Sequence, residues 1–131
     1  MHKKQAKNIM IFKKHLKIEL SENLQLMEYQ CRCKYSSCYQ TLISQELIDA
    51  FESFRVSCGS KPLHVLSGYR CHKHNSEVGG MATSRHLLGL AIDIAKPKSM
   101  SIEEFSYRAK EFFDVVIPYV QNNFIHCHIN P

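Results

Sequence analysis

The chain predicts an α+β fold: one small domain with a mostly antiparallel sheet and flanking helices. Three observations carry this. The 131 residues are enough for a single domain with its own core, and 44% hydrophobic with 22% charged residues is the composition of a soluble globular protein. Residues 90–95 and 124–129 alternate apolar and polar with period two, as half-buried strands do. The elements run helix, strand, loop, strand, helix, strand, without the regular βαβ alternation that builds a parallel sheet.

Each element has its own local signal. Residues 1–20 read as a basic arm with at most a helical turn, and residues 21–131 as the domain. Ser21-Glu22 opens a short segment with apolar Leu24 and Leu26 that ends at a cysteine-rich loop. Ser44 is the expected N-cap of the first long helix, with Leu47, Ile48, Phe51 and Phe54 on one face and Gly59 as its stop. Pro62 opens a strand over residues 63–66 that closes at the Ser67-Gly68 turn. Residues 71–89, with Gly79-Gly80, read as irregular backbone or short helix, the usual setting for a site. Ser101-Ile102-Glu103-Glu104 is a capping box, and Phe105, Tyr107, Phe112 and Phe113 supply the apolar contacts of the helix it starts, with Pro118 beyond its end.

Charge and hydropathy limit the function classes. The net charge of +5 is concentrated at the start, where Lys3, Lys4, Lys7, Lys13, Lys14 and Lys17 fall. Such an arm can bind nucleic acid or an anionic surface, but no aromatic platform or nucleic-acid motif accompanies it, so a solvated terminus is the preferred reading and no nucleic-acid partner is expected. No segment approaches the ~18 apolar residues of a membrane span. The apolar run Ile9-Met10-Ile11-Phe12 is shorter than the ~7–15 residues of a secretory h-region, so no export signal is expected.

Two clusters carry chemistry. His86 and Asp93 stand seven positions apart around a glycine, and His126 and His128 share one face of the last strand. Asp93 alternates with alanines, so a buried carboxylate there needs a partner or a cation. Two imidazoles and a carboxylate are three of zinc's four ligands, with the fourth position open, as in hydrolytic zinc sites. Spacing does not decide between His126 and His128. Separately, Cys31, Cys33 and Cys38 form C-x-C-x4-C, with Cys71 further on. In a chain without an export signal these four thiols are a possible structural zinc site or else reduced thiols, some buried. Cys58 and Cys127 stand apart.

Ser67-Gly68-Tyr69-Arg70, His74-Asn75, Val78-Gly79-Gly80, Ser84-x-His86-x6-Asp93 and Phe124-Ile125-His126 together resemble peptidase family M15. The nearest group is subfamily A, the zinc D-alanyl-D-alanine carboxypeptidase-like peptidoglycan peptidases of bacteria and phages, with the hedgehog/DD-peptidase fold. The resemblance runs from about Leu20 to the C-terminus. It implies zinc bound by His86, Asp93 and His126, and Arg70 on the substrate carboxylate or oxyanion. It implies Ser84 in the substrate pocket and His128 as a neighbour for substrate contact, oxyanion stabilisation or proton transfer. The implied substrate is a peptidoglycan stem peptide, cut at D-Ala-D-Ala or, by an endopeptidase, elsewhere in the cross-link, and a monomer acting at the cell wall is expected. Several branches of the family carry an Asp or Glu base three residues before the last ligand, where this chain has Asn123. That departure keeps open a zinc-bearing wall-binding or structural module without turnover.

Overall fold

A computed structural model describes residues 8–131; Lys3, Lys4 and Lys7 of the basic arm lie outside the described residues. The fold is α+β, and every strand pair is antiparallel. Part of the expected arm is a strand. β1 (Ile9–Lys13) pairs along its length with β4 (Gln40–Ser44), and the short β2 (Glu19–Ser21) and β3 (Leu24–Gln25) lie between them in sequence. A helical turn is ruled out there by a period-two pattern: Met10 and Phe12 pack against the core while Ile11 faces solvent. A one-turn helix, α1 (Leu26–Tyr29), leads into the cysteine loop.

The first long helix forms as its pattern demands. In α2 (Gln45–Ser57), Ser44 Oγ accepts from Leu47 N–H, and Leu47, Ile48, Phe51 and Phe54 are all buried. Gly59 ends it at φ 96°. The chain continues through β5 (Val65–Ser67), α3 (His72–Glu77), a 3-10 turn over Arg85–Leu88, and β6 (Ala91–Ala95). Then come α4 (Ile102–Ala109), β7 (Val115–Tyr119) and β8 (Phe124–His128). Ser101 Oγ accepts from Glu104 N–H at the start of α4, but Glu104 turns outward to Arg108 instead of closing the box. Tyr107 is 73% exposed and supplies no core contact; Phe105 and Phe113 do. Pro118 sits within β7, where its missing N–H is harmless because β7 is an edge strand.

The main sheet runs β5-β6-β8-β7. Its register sets Asp93 opposite both Ser67 and His126, and His126 opposite Ile117. Ile92, Ile94, Ile125 and Cys127 point the other way, into one core with Phe51 and Phe54 of α2 and Phe105 of α4. The sheet thus has a helix-covered apolar face and a polar face that carries Asp93, His126 and His128. Among the described residues no helix is long and apolar enough to cross a membrane.

Glu52 ties α2 to the β2–β3 turn. Its carboxylate accepts from Ser21 Oγ, from Asn23 N–H at 2.8 Å and from Asn23 Nδ2 at 3.0 Å. Partial burial pushes its pKa up, but these bonds and the Arg55 charge outweigh that and hold it below the usual carboxylate value. A depressed folded-state pKa contributes stability above the unfolded value of about 4.3 and loses it as pH falls through the folded value. Glu52→Gln should therefore lower the urea midpoint at pH 7, and the gap to wild type should close below about pH 4. A pH-independent gap in parallel urea titrations would refute this role.

Candidate metal centre and active-site cleft

His86 lies on the 3-10 turn, whose start is capped by Ser84: its Oγ accepts from His86 N–H at 3.2 Å. The ring is buried, with Nδ1 2.7 Å from Gly68 O and Nε2 3.1 Å from Asp93 Oδ1. A carbonyl oxygen only accepts, so Nδ1 carries the proton and the neutral ring turns its Nε2 lone pair toward the carboxylate. From β8, His126 Nδ1 comes within 2.9 Å of the same Oδ1, while its Nε2 lies 2.7 Å from His128 Nδ1. When Nε2 donates to His128, a second lone pair faces Asp93.

Three acceptor atoms then converge, and such a group needs a positive charge among them. His86, Asp93 and His126 each offer one ligand atom within 4.8 Å of the others. Zinc bonds of ~2.0–2.2 Å set ligand–ligand edges of ~3.3–3.5 Å in a tetrahedron, so the two measured separations are within a few tenths of an ångström of a fit. The Gly68 carbonyl is placed as the outer partner that would fix the tautomer of a metal-bound histidine.

Electrostatics agree with the donor set. Burial pushes the Asp93 pKa up, but His126 and His86, which in their protonated forms donate to the carboxylate and carry positive charge, overcome it and hold the carboxyl at about 2; a cation bound among the neutral rings takes the place of those protons. Asp93 is therefore ionised at neutral pH. Burial, then the charges of His126, Arg85 and His86, lower His128 to about 4 against the opposing pull of Asp114. Arg70 stands alongside, with Nη2 3.6 Å from Asp93 Oδ2, Nε donating to Ser67 Oγ at 3.2 Å and Nη1 to Asn75 Oδ1 at 2.9 Å. Arg70, His86, Asp93, His126 and His128 border one open cleft of about 780 Å³, lined also by Val78, Gly79 and Gly80 and by Tyr119 stacked on Phe124.

A model of the peptidase M15 family matches residues 22–128, most of the chain. The chain belongs to the peptidase M15 family. No curated protein matches it. Membership in this family, with a His-Asp-His group able to hold a metal, points to a peptidase that works with zinc.

The M15 motifs acquire physical reasons from this geometry. Arg70, Ser84, His86, Asp93, His126 and His128 all border the cleft, although they come from four separate segments. The Ser84 hydroxyl has a local duty besides facing the cleft, since it caps the turn that presents His86. Asn123 is exposed and lies outside the residues that border the cleft; it occupies a left-handed turn at φ 55°, a conformation that asparagine tolerates well. Sequence reasoning gave Ser67 and Asn75 no role of their own and missed Tyr29. Asn75 and Ser67 aim Arg70, and Tyr29 carries the Gly68 segment through Tyr69 N–H to Tyr29 O at 2.8 Å. Burial keeps the Tyr29 phenol protonated, and it donates to Ala91 O at 2.9 Å.

His128 touches the His-Asp-His group through His126, whose ring it helps to orient, besides bordering the cleft. His128→Ala should weaken zinc binding about 10- to 100-fold, the cost of removing an outer-shell partner, without abolishing it. His128→Asn should recover part of the loss, because its amide oxygen can replace Nδ1 as acceptor. Competition titration with a zinc-sensitive dye measures both, and complete loss of the metal in His128→Ala would make His128 the ligand.

Proposed function

We propose that the protein is a zinc-dependent peptidase of the subfamily A type that hydrolyses peptidoglycan stem peptides, as a D-alanyl-D-alanine carboxypeptidase. The observation that carries this reading is the convergence of three acceptors, His86 Nε2, Asp93 Oδ1 and His126 Nδ1, beside the Arg70 guanidinium in one open cleft. A zinc ion held by these residues supplies Lewis acidity toward a carbonyl and lowers the pKa of water to about 7.

The chain's own residues do the rest. Arg70 offers a planar, permanently charged fork to a terminal carboxylate or a developing oxyanion, and Ser67 and Asn75 hold that fork in place. Ser84 keeps a hydroxyl hydrogen to donate to the substrate backbone while its oxygen serves His86 N–H. Tyr119, Phe124 and Ile117 provide an apolar wall suited to alanine methyl groups. His128, at the cleft and bonded to His126, is the group we assign to proton transfer, since Asn123 cannot act as a base.

Asn123 also favours a second reading, a zinc-bearing wall-binding module without turnover. One experiment separates the two. Zinc-loaded protein incubated with a stem peptide ending in D-Ala-D-Ala should release D-alanine, stop with a chelator and recover with added zinc. Arg70→Ala should keep its zinc and lose about 10²-fold or more of the rate, the scale of removing an oxyanion donor. Folded, zinc-loaded wild type that sediments with peptidoglycan but cleaves no stem peptide would establish the module instead.

A further inference from the structure

We propose that Cys31, Cys33, Cys38 and Cys71 form a second zinc site, a tetrathiolate clasp that fixes the short helix behind Arg70. The four sulfurs come from separate places. Cys31 follows α1, Cys33 and Cys38 lie on the loop before β4, and Cys71 is the N-cap of α3. All four Sγ atoms nevertheless lie within 4.8 Å of one another. Cys31 and Cys71 are 3.8 Å apart, and Cys71 and Cys33 3.9 Å. Zinc–sulfur bonds of ~2.3 Å in a tetrahedron put the sulfurs ~3.8 Å apart. The quartet is therefore already spaced for the ion.

Its surroundings carry the matching charge. Four thiolates around Zn²⁺ leave a net charge of about −2, a value that follows from ligand deprotonation. Lys14, only 9% exposed, points its ammonium at this cluster, with Nζ 3.7 Å from Cys33 Sγ, 3.8 Å from Cys38 Sγ and 3.2 Å from Cys33 O. Among the described residues Lys14 makes no ion pair with a carboxylate. A buried ammonium needs an anion, and metal-held thiolates provide one. Backbone N–H groups complete the shell: Cys71 N–H and His74 N–H each reach a sulfur at 3.4 Å, on Cys31 and Cys71 respectively. Two disulfides among the same residues would be neutral and would leave Lys14 facing no charge. All four cysteines are free thiols in this structure.

The location gives the site its consequence. Cys71 follows Arg70 directly, and Asn75, one turn into α3, accepts from the Arg70 guanidinium. At six residues α3 is too short to hold its shape alone. Beyond Cys71, it is tied to the cysteine loop by Tyr35 Oη donating to Glu77 at 2.6 Å and by Lys73 Nζ 3.8 Å over the Tyr35 ring. A metal at the sulfurs thus anchors the segment that orients Arg70.

The metal site itself does not rest on the peptidase reading, and its test is made where the His-Asp-His group is disabled. Asp93→Ala protein should still hold one zinc per chain. Cobalt in its place should give the intense near-ultraviolet thiolate-to-metal charge-transfer band with tetrahedral visible bands. In wild type, four of the six cysteines should resist alkylation until a chelator is added, a readout that needs no cysteine variant to fold. Chelation in the Asp93→Ala background should also speed amide exchange in α3 about tenfold or more while leaving β6 and β8 unchanged. Failure of Asp93→Ala to retain zinc, absence of the thiolate band, or recovery of the quartet as two disulfides would overturn the site. Unchanged exchange in α3 after loss of this metal would overturn its positioning role. Loss of stem-peptide turnover alone bears on neither.

Discussion

Asp93→Ala should lose one zinc equivalent per chain and all measurable stem-peptide hydrolysis. Asp93 is the centre of its group: one carboxylate oxygen faces both His86 Nε2 and His126 Nδ1, and the other faces Arg70. Removing it takes away an anionic ligand and leaves two imidazoles with no charge to offset a divalent cation. It also releases the Arg70 guanidinium from its only carboxylate partner among the described residues. Asp93→Asn separates these effects, since it keeps the shape and one oxygen but not the charge; it should bind zinc more weakly than wild type and more tightly than the alanine variant. Metal analysis by mass spectrometry after dialysis, paired with D-alanine release, measures both. An Asp93→Ala protein with its full zinc complement would remove Asp93 from the site.

Gly68→Ala should damage stability and metal binding together. A Cβ at this position would overlap the ring and the carbonyl of Tyr29. Tyr29 cannot give way, because it is fully buried, donates to Ala91 O and accepts from Tyr69 N–H. Overpacking of this kind costs about 1–3 kcal/mol. The displaced backbone also carries Gly68 O, the acceptor that holds the His86 proton on Nδ1. Zinc affinity should therefore fall about 10-fold or more. Urea unfolding of the metal-free protein isolates the first effect, and zinc titration of the folded variant isolates the second. A variant with wild-type midpoint and wild-type affinity would show that the close approach is not required.

Much of the site could be read from local pattern because its residues obey local rules. The alternation around Asp93 placed a carboxylate among alanines on one strand face, and that face is the one bearing the His-Asp-His group. His126 and His128 fell on one side of β8 and Cys127 on the other for the same reason. Ser44 and Leu47 to Phe54 announced α2 through capping and a 3.6-residue period. The signal failed where elements were short or flanked by charge. β1 was hidden among lysines, and β7 was masked by Pro118, which only an edge strand accommodates. Tyr107 was counted with the apolar contacts of α4 for its residue type alone; two positions past Phe105 it lies on the opposite side of the helix and faces water.

The amino-acid order alone pointed to the α+β class, the two strand faces and the candidate ligand types, since each depends on neighbours within a few positions. The choice of partners across the molecule was settled by packing. Asp93 meets His126 through antiparallel register between β6 and β8, and a slip of one residue would turn every side chain to the opposite face. The Gly68 carbonyl meets His86 because Tyr29 leaves that turn one position to occupy. Cys71 joins Cys31, Cys33 and Cys38 across up to forty residues because α3 folds back onto the cysteine loop. Contacts between segments so far apart arise only when a shared core holds their backbones together, and no local preference encodes that distance.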